Sequence, residues 1–183
     1  MRKVLIVVDM QNDFITGSLG SKDAEVVVPC VKEKINNYNN MVNPIIVFTQ
    51  DTHTENYLDT SEGKNLPVIH CIKDTTGWQI VDELFDKAKG HKAVIKNTFG
   101  YLDWKAVFTE EVLADLESGN ATIEIIGVCT DICVVSNALI LKAIFPETQV
   151  VVDISCCAAT TQEKQKATIA VLESCQVFVT NKN

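Results

Sequence analysis

Basic residues are scarce in this chain: 16 Lys and Arg stand against 24 Asp and Glu among 183 residues, a formal charge of -8, with a pI near 4.8. They are also scattered, so no cluster exists to displace counterions from a nucleic-acid backbone or to hold an anionic membrane. Long apolar runs are missing too. No stretch approaches the roughly 20 residues that cross a bilayer, and the start, Met1 to Asp9, lacks the small-residue cleavage site of a secretory leader. These absences predict a cytoplasmic protein that works on neither nucleic acid nor membrane. Repeats, low-complexity tracts and linkers are absent as well, which predicts one domain over residues 1–183 with a sizeable core. Cysteine is not scarce. Seven cysteines, an odd number in a chain too long to be a disulfide mini-protein, read as thiols, with at least one a candidate for reactivity.

Six apolar runs of strand length occur, at residues 4–8, 44–49, 93–95, 122–126, 149–152 and 177–179. Their near-continuous Val and Ile content fits strands covered on both faces. Polar segments of helical period lie between them, at 24–37, 79–86, 109–118, 133–143 and 161–174, with Ser118-Gly119-Asn120 as a helix stop. The alternation predicts a doubly wound α/β fold, a mainly parallel six-stranded sheet with helices on both faces. One connection breaks the rhythm. Residues 51–76, about 26 in number, are rich in Asp, Thr, Asn, Gly and His and have no apolar period; loops of that length in compact domains are usually functional.

Ligands of open parallel sheets bind beyond the carboxyl ends of the strands. The first run ends in Asp9, the second leads into Asp51 and His53, the third ends in Lys96, and the fourth runs into Cys129 and Cys133. At the start of the helix after the fourth strand, Cys133 is expected to be a thiolate nucleophile, its pKa lowered by the helix N-terminus and by Lys96. Asp9 is placed to take the thiol proton and return it to a leaving group, and the N–H groups of Cys129 and Cys133 to form an oxyanion hole. These are the parts of acyl transfer from an amide. Asp51, His53 and His70 supply a carboxylate and two imidazoles, enough to hold a divalent metal, with Glu62 as a further ligand and Asp59 or Glu55 as alternatives. His91 reads as a solvated loop residue. Cys30 and Cys175, in helical patterns, and Cys156-Cys157, after the fifth run, read as packing residues. Cys71 beside His70 is an additional possible ligand, and Cys129 with Cys133 a conceivable redox pair without the C-x-x-C spacing.

Leu5-Ile-Val-Val-Asp9-Met-Gln-Asn-Asp-Phe14, Lys96-Asn-Thr-Phe-Gly100 and Gly127-Val-Cys-Thr-Asp-Ile-Cys133-Val together resemble the isochorismatase-like cysteine hydrolases. The loop from Asp51 to His70 looks most like that of the nicotinamidase (pyrazinamidase) branch. The resemblance spans nearly the whole chain. It implies Asp9, Lys96 and Cys133 as the catalytic triad, a cis Val128–Cys129 bond, and Asp51, His53 and His70 with Glu62 around zinc, iron or manganese. In that branch the metal holds the pyridine nitrogen and ordered waters and is not thought to make the nucleophile. The implied activity is conversion of nicotinamide to nicotinate and ammonia through a thioacyl-enzyme, on a small-molecule amide, in a protein whose relatives are often homo-oligomers. Two departures stand out. A third histidine often found in the metal loop is absent, and Leu66-Pro67-Val68-Ile69 occupies the stretch where an aromatic residue usually stacks on the ring, which leaves Phe14, Tyr101 or Trp78 for that task. The alternatives are a metal-free amidase acting on a carbamoyl or maleamate-like compound and a non-catalytic metal or thiol redox module. Isochorismate hydrolysis is disfavoured because its vinyl-ether chemistry does not call for a cysteine nucleophile.

Overall fold

A computed structural model describes residues 1–182. All six strands are present and all pairings are parallel, in the order β3-β2-β1-β4-β5-β6. They are β1 (Arg2–Val8), β2 (Ile45–Asp51), β3 (Lys92–Lys96), β4 (Ala121–Val128), β5 (Gln149–Ala158) and β6 (Phe178–Thr180). The helices are α1 (Asn12–Ile15), α2 (Lys22–Asn39), α3 (Ser61–Asn65), α4 (Asp82–Ala88), α5 (Glu110–Glu117), α6 (Val135–Ile144) and α7 (Gln162–Ser174). Alternation along the central strand β1 builds two cores. Val4, Ile6 and Val8 face a layer that includes Leu116, Ala138, Leu141 and Leu172 of α5, α6 and α7. Leu5 and Val7 face Phe14, Val27, Val31, Ile35 and Leu84 of α1, α2 and α4. Each Val, Leu, Ile or Phe side chain so buried contributes about 1.5–3 kcal/mol before entropy is counted, which is why this sheet needs helices on both faces.

The helix ends follow local chemistry. Ser21, Thr109 and Thr161 cap α2, α5 and α7 by accepting from the N–H groups of Ala24, Val112 and Lys164. Gly119, with φ of 75°, closes the turn after α5 as the Ser-Gly-Asn stop predicts. Among the described residues no helix is long and apolar enough to cross a membrane.

The structure corrects four expectations. Cys133 does not open an α-helix, because a π-helical turn (Thr130–Val134) comes first and α6 begins at Val135. Cys156 and Cys157 do not follow the fifth strand but lie inside it, since β5 continues to Ala158. Cys30 and Cys175 are exposed, on the outer side of α2 and just past α7, and pack in neither core. The loop after β2 also has structure of its own, a 3₁₀ turn (Tyr57–Asp59) and α3, too short to leave a periodic trace.

One glycine brings the strand ends together. Gly127 pairs with Val8 across β1 and β4 and has φ of 117°; a Cβ there would lie 2.1 Å from the Val8 carbonyl oxygen. Only glycine permits that approach. It sets the turn carrying Cys129 beside Asp9, which itself has φ of 48°.

Candidate active site

At the carboxyl edge of the sheet, β2 and β3 place Asp51 and Lys96 as register partners, and β1 ends next to both. Asp9 and Lys96 are fully covered side chains, with Asp9 Oδ2 2.7 Å from Lys96 Nζ. Lys96 Nζ also lies 3.7 Å from Cys133 Sγ and 3.2 Å from Asp51 Oδ1. Thr49 completes the seat of Asp9: its hydroxyl donates to Asp9 Oδ1 at 2.6 Å and accepts from the Asp9 N–H at 3.2 Å. Asp9 Oδ2, also buried, is left with the Lys96 ammonium as its ion-pair partner.

Burial dominates the charges of this trio. It pushes the carboxyl of Asp9 up, against the attraction of Lys96. For Cys133, burial and then the negative charge of Asp9 raise the thiol well above its ordinary range, more than Lys96 lowers it. The expectation of a thiol whose pKa is lowered by a helix end is therefore corrected: burial and Asp9 raise it and favour the protonated sulfur. Desolvation works against the charge of Lys96, but the acidic groups Asp9, Cys133 and Asp51 around it raise its pKa by more, so it stays an ammonium.

Asp51 joins this trio to a second cluster. Its other oxygen, Oδ2, lies 3.0 Å from His53 Nε2 and 3.5 Å from His70 Nε2, while Glu62 Oε1 lies 3.6 and 3.8 Å from the same two nitrogens. One donor atom from each of these four residues falls within 4.8 Å of the others. The set fits a divalent cation. His70 Nδ1 faces the Val68 carbonyl at 2.8 Å, which can only accept, so that nitrogen keeps the proton and Nε2 is left as a ligand. Burial and repulsion from Asp51 push the Glu62 carboxyl up despite the imidazoles, a penalty that a bound cation would relieve. Burial also works against Asp51, but its bonds to His53 and His70 and the charge of Lys96 hold it below the ordinary carboxylate range. Glu62 is thus the fourth member of the cluster. Asp59 and Glu55 are exposed and lie outside it, and Cys71 turns into the α2-side core, its thiol pushed up by burial.

The loop bearing these ligands is fastened by residues that follow β1. Gln11 Nε2 donates to the carbonyls of Asp51 and Trp78, and its Oε1 accepts from the Asp51 N–H. Asp13 Oδ2 accepts from the N–H of Cys71, next to His70, at 2.7 Å. Tyr57 packs against both imidazoles, tilted against His53 at 4.6 Å and edge-on against His70 at 4.9 Å between ring centroids. Gln11, Thr49 and Tyr57 escape a sequence reading. The available signal, for Gln11 alone, is its place between Asp9 and Asp13 directly after the apolar run Val4 to Val8.

A cleft of about 850 Å³ opens onto this edge, reaching His53, Tyr57, Glu62, Leu66, Phe99 and Ile132. None of the three aromatic residues expected to stack on a ring lines it. Phe14 is buried against the His70 ring, Tyr101 packs edge-on against the buried Trp104, and Trp78 is tethered through Nε1 to the Thr52 hydroxyl and borders a different groove. Phe99, 45% exposed, is the aromatic side chain that reaches the cleft from the loop after β3. The Val128–Cys129 peptide bond is cis, and both cysteines of the turn are free thiols.

Comparison with known proteins agrees with this architecture. The family model described as "Isochorismatase domain" matches residues 3–183. A nicotinamidase of Saccharomyces cerevisiae is 29% identical over 192 residues, covering 82% of this chain and 86% of that protein. Among solved structures, the pyrazinamidase/nicotinamidase of Streptococcus mutans superposes with a TM-score of 0.78 at 25% identity, over 97% of this chain and 99% of that one. The pyrazinamidase of Pyrococcus horikoshii in complex with zinc superposes with a TM-score of 0.78 at 23% identity, over 99% of both chains.

Proposed function

Since the chain belongs to the isochorismatase family, we propose that it is a metal-containing cysteine amidohydrolase that converts nicotinamide to nicotinate and ammonia. One observation carries this reading: Asp51 reaches Lys96 of the trio with one oxygen and both histidines of the four-donor cluster with the other. A metal-free amidase has no use for such a cluster built into the wall of its nucleophile site. The similarity to a yeast nicotinamidase and to pyrazinamidases, one in complex with zinc, supports the substrate class and a divalent ion.

In this reading Asp51, His53, Glu62 and His70 hold the metal, which when bound supplies a Lewis-acidic anchor for the ring nitrogen of the substrate. Asp9 Oδ2 takes the proton of Cys133, and the thiolate attacks the carboxamide carbon. The N–H groups of Cys129 and Cys133 receive the developing oxyanion, and the Lys96 ammonium balances the negative charge that the proton transfer leaves on sulfur. Asp9 then returns the proton to the departing nitrogen, ammonia leaves, and Cys133 remains as a thioester. A water deprotonated by Asp9 adds to that thioester; collapse releases nicotinate and restores the thiol.

Ammonia release from nicotinamide and pyrazinamide, measured before and after metal stripping and again after restoring zinc, iron or manganese, tests the reading. Release that falls on stripping and returns on reloading supports it. Release indifferent to stripping contradicts the metal's part, and no release from either amide contradicts the substrate.

A further inference from the structure

Asn137 lies one helical turn after Cys133 on α6 and is fully buried. Its Nδ2 donates to the Cys133 carbonyl at 2.8 Å and to the Phe99 carbonyl at 3.2 Å, and its Oδ1 accepts from the Tyr101 N–H at 2.9 Å. A single side chain thus binds the nucleophile's own backbone to the loop after β3. That loop supplies Asn97, Thr98 and Phe99 to the cleft wall, and it leaves an edge strand of the sheet, with no further strand beyond to hold it. It also presses closely on α6. A Cβ added to Gly100 would sit 2.4 Å from Ile140 Cδ1 and 3.2 Å from Ser136 Cβ. The contact is close, and Asn137 supplies its polar ties.

We propose that Asn137 is a positioning residue: it fixes the Phe99 wall of the cleft relative to Cys133 and so sets a preference for flat aromatic acyl groups over small aliphatic ones. The inference rests on the reading of Cys133 as nucleophile. It does not require nicotinamide to be the substrate. An aromatic ring whose face lies on Phe99 gains contact that an acetyl-sized group cannot, and that gain exists only while the wall is held at ring distance.

Alkylation of Cys133 isolates the effect from turnover. Iodoacetamide and N-phenyl-iodoacetamide form the same bond, sulfur to carbon with loss of iodide and of the thiol proton, and differ by an aryl group. Peptide mass spectrometry must read Cys133 separately, because the chain has seven cysteines. The wild-type protein is expected to favour the aryl reagent, and Asn137→Leu to lower the aryl-to-alkyl rate ratio about tenfold. Asn137→Asp, which keeps the acceptor for Tyr101 and loses both donations, lowers it as well and serves where the leucine variant does not fold. Phe99→Ala, at an exposed position, removes the preference by itself, and adding Asn137→Leu changes nothing further. In steady state, Asn137→Leu is expected to raise KM for nicotinamide about tenfold with kcat within about threefold; a merely structural role would lower kcat and thermal stability instead. A wild-type protein without aryl preference, an unchanged ratio in Asn137→Leu and Asn137→Asp, or additive effects in the double variant would overturn the proposal. Alkylation that behaves as predicted in a protein releasing no ammonia from nicotinamide would refute the substrate and leave the role of Asn137 standing.

Discussion

At the scale of single residues, the chemistry turns on where one proton rests. Asp9 and Cys133 are both buried side chains, and burial pushes both toward their neutral forms. In the proposed reaction Asp9 acts as base only when ionised. Because its carboxyl is raised, kcat/KM should climb with pH along an acid limb lying above the ordinary Asp value of about 3.9; a limb at or below that value would contradict the assignment. Asp9→Asn should lower kcat/KM at least ~1,000-fold and leave the fold intact, since the amide can still accept from Thr49. The trio and the metal cluster were legible in the sequence because Asp9, Lys96 and Cys133 lie at or just beyond the ends of apolar runs and because two of three histidines share one polar loop. The charge state of Cys133 was not. A helix end stabilises a thiolate by a modest amount, whereas full burial beside a carboxylate costs far more, and burial is a property of the packed fold. The aromatic lining of the cleft was hidden for the same reason: Phe14, Trp78 and Tyr101 are each engaged in packing or in a hydrogen bond, while Tyr57 and Phe99 reach the cleft.

At the scale of elements, a few contacts hold the strand ends in register. Gly127→Ala would drive a Cβ into the Val8 carbonyl at a backbone angle that only glycine tolerates. It should cost at least about 2 kcal/mol and lower kcat in parallel, because the same turn presents Cys129; thermal unfolding within a degree of the parent would contradict this. On the opposite face, Lys34 of α2 lies 2.6 Å from Glu124 of β4 and 2.7 Å from Asp153 of β5, and Tyr38 donates to Glu124 as well. Burial opposes the charge of Asp153, yet its bonds from Lys34, Asn181 and Ser155 depress its pKa in the folded state. A depressed carboxylate stabilises the fold above its unfolded value, about 3.9, and that stability is lost as pH falls through the lower folded value. Asp153→Asn should therefore cost about 1–3 kcal/mol at neutral pH, with the gap to the parent narrowing below about pH 4; a gap that stays constant with pH would show that charge is not its source. The Val and Ile runs announced the strands, but β5 hid its second half, since Ser155-Cys156-Cys157 does not read as a buried strand until β4 is seen beside it. Helices of four or five residues, α1 and α3, carry no period to read.

At the scale of the whole molecule, the doubly wound sheet brings four strand ends and one long loop to a single edge, and the residues after β1 fasten that loop over it. This is why Asp51 touches both the Asp9–Lys96–Cys133 trio and the four-donor cluster, the proposed nucleophile and metal sites. Metal removal should therefore lower both activity and thermal stability, the latter by the linkage of a ligand that binds only the folded state; a melting temperature unchanged by stripping and reloading would contradict the cluster's role. The central claim is that amide cleavage passes through a thioester on Cys133. Acid quench of the enzyme during turnover of nicotinamide, followed by mass spectrometry of the peptide carrying Cys133, tests it most directly. A nicotinoyl group on Cys133, absent from Cys133→Ala together with all but a trace of ammonia release, is the predicted result. Sustained ammonia release by Cys133→Ala would contradict the account.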